Sequence, residues 1–185
     1  MRRYLLLILL AVGLGVAPPS SATLVKTFSM PEMTHASHDI IRGYVTAVQA
    51  VYDPSNKHVY THTTVEVVED LRQQNTQPRI VVVRQLGGSL DGFETTLVGN
   101  AHLGLGEEIV LFARTDGAFH YVVGMAQGKY NVRREKGKAA TLQRSLAGIR
   151  GVKRIYLSRP QAANTLSLGL LRSQIQTTLK KAVKP

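Results

Sequence analysis

The sequence predicts a mainly β protein, a single small antiparallel β-barrel followed by a C-terminal amphipathic α-helix. Between positions 39 and 132, short stretches rich in β-branched and aromatic residues alternate with turn residues, as in compact β domains. A glycine-containing turn joins two of these stretches at the short spacing of a hairpin. Near the C-terminus, Leu168, Leu171, Ile175 and Leu179 recur at spacings of three and four, which indicates one apolar helix face.

The hairpin is the best-defined part of the predicted barrel. Its strands are residues 109–113 and 119–123, and Asp116-Gly117 between them can supply the positive φ angles of a tight turn. The other predicted strands cover residues 40–52, 57–71, 79–86 and 129–133, with a weaker strand at 90–98.

Two features of these strands give finer predictions. Along the first strand, a period of two places Ile41, Gly43, Val45, Ala47 and Val51 on one face, and Gly43 marks a bend or a close backbone approach. Residues 80–83 are apolar on both faces, which predicts a central strand.

The N-terminus has the layout of a secretory signal peptide. Arg2 and Arg3 precede an apolar stretch at residues 4–17, and Ser20-Ser21-Ala22 offers the small residues of a cleavage site. A membrane anchor is the alternative, but a spanning helix needs about 20 apolar residues. We therefore expect an exported protein, periplasmic or secreted, cleaved after Ala22. The chain has no cysteine, which excludes disulfides and thiolate chemistry.

The predicted organisation is a signal peptide followed by one domain. Residues 1–22 form the signal peptide, and residues 23–37 form a lead-in with a short helix starting near Pro31. Residues 38–133 form the β-barrel domain. Residues 134–185 form a basic C-terminal segment with a helix at about 167–182. A chain of this size can bury a core of its own.

The charge is divided unequally along the chain. Residues 23–128 hold 7 basic and 11 acidic side chains, whereas residues 129–185 hold 14 basic and one acidic. Such a field favours an anionic partner, although a solvated basic surface is the simpler alternative. The candidate binding residues for a polyanion or protein partner are the basic side chains that begin this half: Lys129, Arg133, Arg134, Lys136, Lys138, Arg150, Lys153 and Arg154.

No linear motif of catalysis is present, and we predict no catalytic residue, no metal ligand and no cofactor. His58 and His62 lie on one side of a predicted strand at roughly 13–14 Å, too far apart to share one ion. His35 and His38 are better spaced on a short helix, and a metal-dependent enzyme or small hydrolase using them or His102 remains the alternative.

Several segments together resemble known exported proteins. Residues 40–48, 64–71, 80–83, 106–112 and 122–132 resemble a family of uncharacterised exported bacterial proteins. The same strand order is similar to the netrin-like domain of the tissue inhibitors of metalloproteinases, an OB-type barrel with a helix packed after it. The resemblance implies an OB-like fold. It implies no inhibitory residues here, because those inhibitors chelate zinc through an N-terminal cysteine that this chain lacks.

The function that these observations favour is binding. We expect an exported non-enzymatic module for a protein or a polyanionic partner in the envelope or outside the cell, with no transmembrane anchor after cleavage. Nucleic acid is an improbable partner, because export separates the protein from it. The alternatives are an inhibitor of an extracellular protease, acting through a loop, and the small hydrolase or metal-dependent enzyme.

Overall fold

Five strands close a small barrel in the computed structural model, which describes residues 26–95, 97–144, 146 and 166–182. The predicted signal peptide at 1–22 lies outside the described residues. The elements in chain order are α1 (Met30–Ala36), β1 (Asp39–Asp53), β2 (His58–Asp70), β3 (Arg79–Leu86), β4 (Gly88–Leu90), β5 (Phe93–Thr95), β6 (Glu108–Thr115), β7 (His120–Val122), a 3-10 turn (Met125–Gly128), β8 (Lys129–Arg133), β9 (Thr141–Gln143), β10 (Leu166–Ser167) and α2 (Leu168–Ala182).

The barrel is mixed, so the prediction of a purely antiparallel barrel is wrong. Its closed order is β1-β2-β3-β7-β6 and back to β1, and β3 runs parallel to β7 through the pair Val83 and His120. The other four contacts are antiparallel. The reason is geometric: strands that alternate in direction cannot close a ring with an odd number of members, so one neighbouring pair must be parallel. β8, β9 and β10 extend the sheet beyond β6.

β6 is apolar on both faces because it separates two cores. Ile109 and Leu111 point into the barrel, where they join a cluster that includes Val45, Val65 and Val83. Val110 and Phe112 point outward, into a second cluster that contains residues of both helices: Met33, Leu168, Leu171 and Ile175. A strand covered on both sides has a continuous apolar sequence, which is what residues 109–113 show.

β1 follows its predicted alternation only over its first half. The register shifts between Arg42 and Gly43 and again between Val45 and Ala47, and each bulge changes which side chains face inward. Val51 is therefore 36% exposed rather than buried with Val45. The close approach predicted at Gly43 is confirmed, because an added Cβ atom would lie 2.3 Å from the carbonyl oxygen of Glu66.

The prediction of a single weak strand at residues 90–98 is wrong. The chain there makes a separate two-stranded hairpin of β4 and β5, and Asp91 and Gly92 at its turn both have positive φ. β3 is central as predicted, since it pairs with β2 and β7. However, Ile80 on it is 72% exposed, so the expectation of two buried faces does not hold there.

The two helices and the hairpin turn are present as predicted, with one change in the turn. Ser29 and Glu32 form a capping box at the start of α1, and Ser167 accepts a hydrogen bond from the Leu170 amide at the start of α2. In the turn between β6 and β7, Gly117 alone has positive φ, and the Asp116 carboxylate accepts hydrogen bonds from the backbone amides of Ala118 and Phe119.

Candidate binding surface

The first of the candidate cations, Lys129, is not on the surface. β8 begins at this residue, and its side chain is 4% exposed. Its ammonium group donates a hydrogen bond of 2.7 Å to Glu107 Oε2. Burial raises the pKa of Glu107, but the hydrogen bonds from Lys129 and the Gly104 amide outweigh burial, and the net pKa is lowered. Lys129 is therefore a buried cation whose ion pair with Glu107 fixes the start of β8.

The following cations lie where β8 leaves the sheet. Arg133 and Lys136 are exposed, and neither forms an ion pair with any of the described residues. Lys138 is also exposed, and it pairs with Glu135 across the turn at 2.6 Å. A backbone hydrogen bond from the Lys138 amide to the Glu135 carbonyl closes a turn at residues 135–138. Arg150, Lys153 and Arg154 lie outside the described residues.

Arg134 is held by an acidic side chain from the barrel. Its Nε donates to Glu108 Oε2 and its Nη2 to Glu108 Oε1, both at 2.7 Å, in a two-pronged pair. The Arg134 side chain is 54% exposed, whereas that of Glu108 is 8% exposed. The hydrogen bonds from Arg134 lower the pKa of Glu108, and those from Arg42 add to this effect against burial.

This pair is the end of a longer series of ion pairs, which we call the charge chain. It runs across β8, β6, β1, β2 and α2 through Arg134, Glu108, Arg42, Glu69 and Arg172. Arg42 is its centre, because its Nη1 donates to Glu108 at 2.7 Å and its Nε donates to Glu69 at 2.8 Å. The charge chain therefore uses two acidic side chains to hold three arginines.

Each end of the charge chain borders a surface depression. At the β8 end, a groove of about 430 Å³, which we call the β8 groove, is lined by Leu105, Gly106, Glu107, Glu108, Asn131, Val132, Arg133 and Arg134. At the α2 end, a smaller depression of about 260 Å³ is lined by Leu71, Gln74, Asn75, Thr76, Gln176, Glu69 and Arg172. Of these two depressions, the β8 groove combines a paired arginine, Arg134, with Arg133, which forms no ion pair with the described residues.

Sequence reasoning missed a second cluster, on the outer face of β2, β3 and β7. The guanidinium of Arg84 lies 3.7 Å from the ring centroid of Tyr60 and 5.0 Å from that of Phe119, and it pairs with Asp53. His62 stacks on Phe119 at 4.8 Å between centroids. The alternation of Tyr60 and His62 along β2 is visible in the sequence, but their alignment with β3 depends on register. Because Asp53 already compensates Arg84, the arginine of this cluster is not free to pair with an external anion.

A polar cluster closes the barrel at the end where β1 begins. Asp39 accepts hydrogen bonds from Arg79 at 2.8 Å and from His120 at 2.9 Å, and Arg79 also donates to Asp70. Burial raises the pKa of Asp39, but the hydrogen bonds from Arg79 and His120 outweigh it, and the pKa is lowered. Asp39 thereby links the first strand to both members of the parallel pair.

The histidines considered for metal chemistry do not converge. His35 and His102 are exposed, and His38 Nδ1 accepts a hydrogen bond from the Thr115 amide. Across the described ranges, no three histidine, aspartate or glutamate side chains are arranged to hold a metal ion.

Comparison with protein-family models, with curated proteins and with solved structures finds no match for this chain. Within the part of the chain that the structure describes, neither helix has the length and apolar character needed to cross a bilayer.

Proposed function

We propose that this protein is an exported, non-enzymatic binding module that holds an anionic polymer on the surface where β8 ends. One observation supports this more than any other. Arg133, which lines the β8 groove, and Lys136, which follows Arg134 by two residues, are exposed and form no ion pair with the described residues. Exposed cations that form no ion pair are free to bind an external anion at little desolvation cost.

The use of charge elsewhere in the barrel supports the same proposal. Several acidic side chains of the strands are engaged by arginines of other strands, as Glu69 and Glu108 are by Arg42 and Asp39 is by Arg79. The 14 basic residues after position 128 face a single acidic residue in that segment, Glu135. The long-range attraction of such a segment raises the local concentration of a polyanion and falls with added salt.

The proposed partner is an acidic polymer of the cell envelope or the extracellular space. This follows from the signal-peptide layout of residues 1–22, which predicts export. Polymers that present carboxylate, sulfate or phosphate groups share the chemistry that exposed arginine and lysine recognise.

We also propose that the barrel is of the OB type, as the resemblance to the netrin-like domain implies. The five-stranded closed order and the helix that packs on the outside of the barrel support this. This proposal concerns the fold and adds nothing to the argument for a partner.

The test of the proposed function compares two double variants with equal loss of charge. Arg133→Gln/Lys136→Gln removes one cation that lines the β8 groove and one in the turn that follows it. Lys180→Gln/Lys181→Gln removes two exposed cations in the last turn of α2, which are not among the residues that line the groove. Binding of dextran sulfate, polygalacturonate and polyphosphate to the purified protein is measured near physiological salt.

We expect the first variant to weaken polymer binding by about fivefold, since two exposed ionic contacts contribute about 1 kcal/mol together. The control should change binding much less. Equal weakening in both variants would show that net charge alone drives binding. Absence of binding to all three polymers by the unmodified protein would contradict the proposed function.

A further inference from the structure

Glu108 lies where an external anion would lie on Arg134. Its two carboxylate oxygens accept both donors from one edge of the guanidinium at 2.7 Å, which is the geometry with which arginine binds carboxylate, sulfate or phosphate groups. We infer that Glu108 and an anionic group of the polymer compete for the same partner, Arg134 of the β8 groove. This inference rests on the proposed function.

The surroundings of Glu108 make an exchange of partners possible. Glu108 keeps a second donor, Arg42 Nη1 at 2.7 Å, when Arg134 turns away. Its nearly buried carboxylate is therefore not left as an isolated charge, which would be costly. Arg134 itself is more than half exposed, so it can reach a ligand in the groove without leaving the surface.

The composition of the β8 groove also favours an anion there. Arg133 lines the groove next to Arg134 and has no acidic partner among the described residues. A ligand group that binds Arg134 therefore meets a second cation. Glu107 lines the same groove, but the buried Lys129 compensates its charge at 2.7 Å. Of the two acidic residues that line the groove, Glu108 is the one that occupies the donors of a groove arginine, Arg134.

The other end of the charge chain provides an internal control. Glu69 accepts from Arg172 in the same two-pronged geometry, at 2.7 Å and 2.8 Å, and also accepts from Arg42. Glu69 is 14% exposed and Arg172 is 44% exposed, values close to those of the Glu108 pair. Apart from this pair, the depression at that end is lined by uncharged residues. The two pairs therefore differ chiefly in the presence of a second cation.

The experiment compares Glu108→Gln with Glu69→Gln. Both changes remove one negative charge and keep a side chain of the same shape, and both release an exposed arginine. Binding of polygalacturonate, dextran sulfate and polyphosphate distinguishes carboxylate, sulfate and phosphate as the recognised group. We expect Glu108→Gln to tighten binding of at least one polymer by about three- to fivefold, the effect of one partly exposed ionic contact. Glu69→Gln should tighten binding less.

A second pair of variants keeps the test informative if Glu108→Gln is unstable. Arg134→Gln should weaken polymer binding by a similar factor, whereas Arg172→Gln should leave binding nearly unchanged. The double variant Glu108→Gln/Arg134→Gln should not show the tighter binding of Glu108→Gln alone. Thermal unfolding of each variant is measured alongside binding.

Equal tightening by Glu108→Gln and Glu69→Gln, or equal weakening by the two arginine variants, overturns the inference and leaves the proposed function standing. Absence of binding by both the unmodified protein and Glu108→Gln overturns both.

Discussion

Gly43 on β1 lies so close to Glu66 on β2 that an added Cβ atom would be 2.3 Å from the Glu66 carbonyl oxygen. The nearest obstacle is backbone in the middle of a strand pair, so it cannot move aside as the end of a flexible side chain could. The two strands must separate locally if position 43 gains a side chain. The bulge next to Gly43 therefore depends on glycine at this position.

We expect Gly43→Ala to lower the free energy of unfolding by about 1–3 kcal/mol, the usual cost of overpacking. Gly169→Ala is the matched control. Nothing lies within 4 Å of a Cβ added there, and the residue is in the first turn of α2. That change should raise stability by about 0.5–1 kcal/mol, because alanine loses less backbone entropy. Urea unfolding of the two variants measures the sign and size of each change in the free energy of unfolding.

The buried face of α2 can be tested with two adjacent leucines. Leu171 is fully buried in the core between the helices and the barrel, whereas Leu170 is 51% exposed. Leu171→Ala should cost about 2–5 kcal/mol through lost burial and the cavity that remains. Leu170→Ala should change stability by less than about 0.5 kcal/mol. Similar costs for the two changes would contradict the packing of α2.

Asp39 should account for part of the loss of stability in acid. Its pKa is lowered in the folded protein from the ordinary value of 3.8, so the folded state favours the charged carboxylate. The stabilisation is present above the ordinary pKa and is lost as the pH falls through the lower folded value. Asp39→Asn should cost about 1–2 kcal/mol near pH 7, because it weakens the charged hydrogen bond from Arg79, which keeps Asp70 as a partner.

Melting temperatures between pH 2 and 7 test this prediction. The difference between the unmodified protein and Asp39→Asn should narrow below about pH 4, as the carboxylate becomes protonated. Asp91→Asn is the control: Asp91 is exposed and makes no hydrogen bond or ion pair with the described residues. Its replacement should leave the pH dependence of the melting temperature unchanged.

Gln127 fixes the lead-in segment to the barrel. Its Oε1 accepts a hydrogen bond from the Phe28 amide at 3.0 Å, and its Nε2 donates to the Lys26 carbonyl at 2.8 Å. Gln127→Ala should therefore speed hydrogen exchange at the Phe28 amide and lower stability by about 1–3 kcal/mol. Gln143→Ala, at an exposed position on β9, should change neither quantity. Unchanged exchange at Phe28 in the first variant would show that Gln127 does not hold this segment.

The sequence was sufficient where local patterns decide the structure. Capping residues, turn glycines and helical spacing are short-range features, and they place α1, α2 and the hairpin of β6 and β7. The apolar stretch at residues 109–113 forms a strand as predicted, and both of its faces are covered. The prediction of which side chains face inward was wrong where a bulge changed the strand register, as at Val51.

The sequence located the candidate cations along the chain but not the environment of each one. The run of basic residues indicated where cations would be plentiful. The run of basic residues could not show that Lys129 is buried and Arg133 exposed. The burial of Lys129 depends on its ion pair with Glu107, which lies just before β6. Likewise, the pairing of Arg134 with Glu108 joins residues 26 positions apart. Such long-range partners follow from strand register, which composition does not encode.

The most direct test of the account is to map polymer contacts by amide chemical shifts, using the polymer that binds the protein most tightly. We predict that the largest changes occur at Arg133, Arg134 and Lys136, with smaller ones at residues 105–108 across the β8 groove. Amides near Arg84 and near Lys181 should change little. Changes centred on either of those places, or spread evenly over the barrel, would contradict the claim that the surface at the end of β8 binds the polymer.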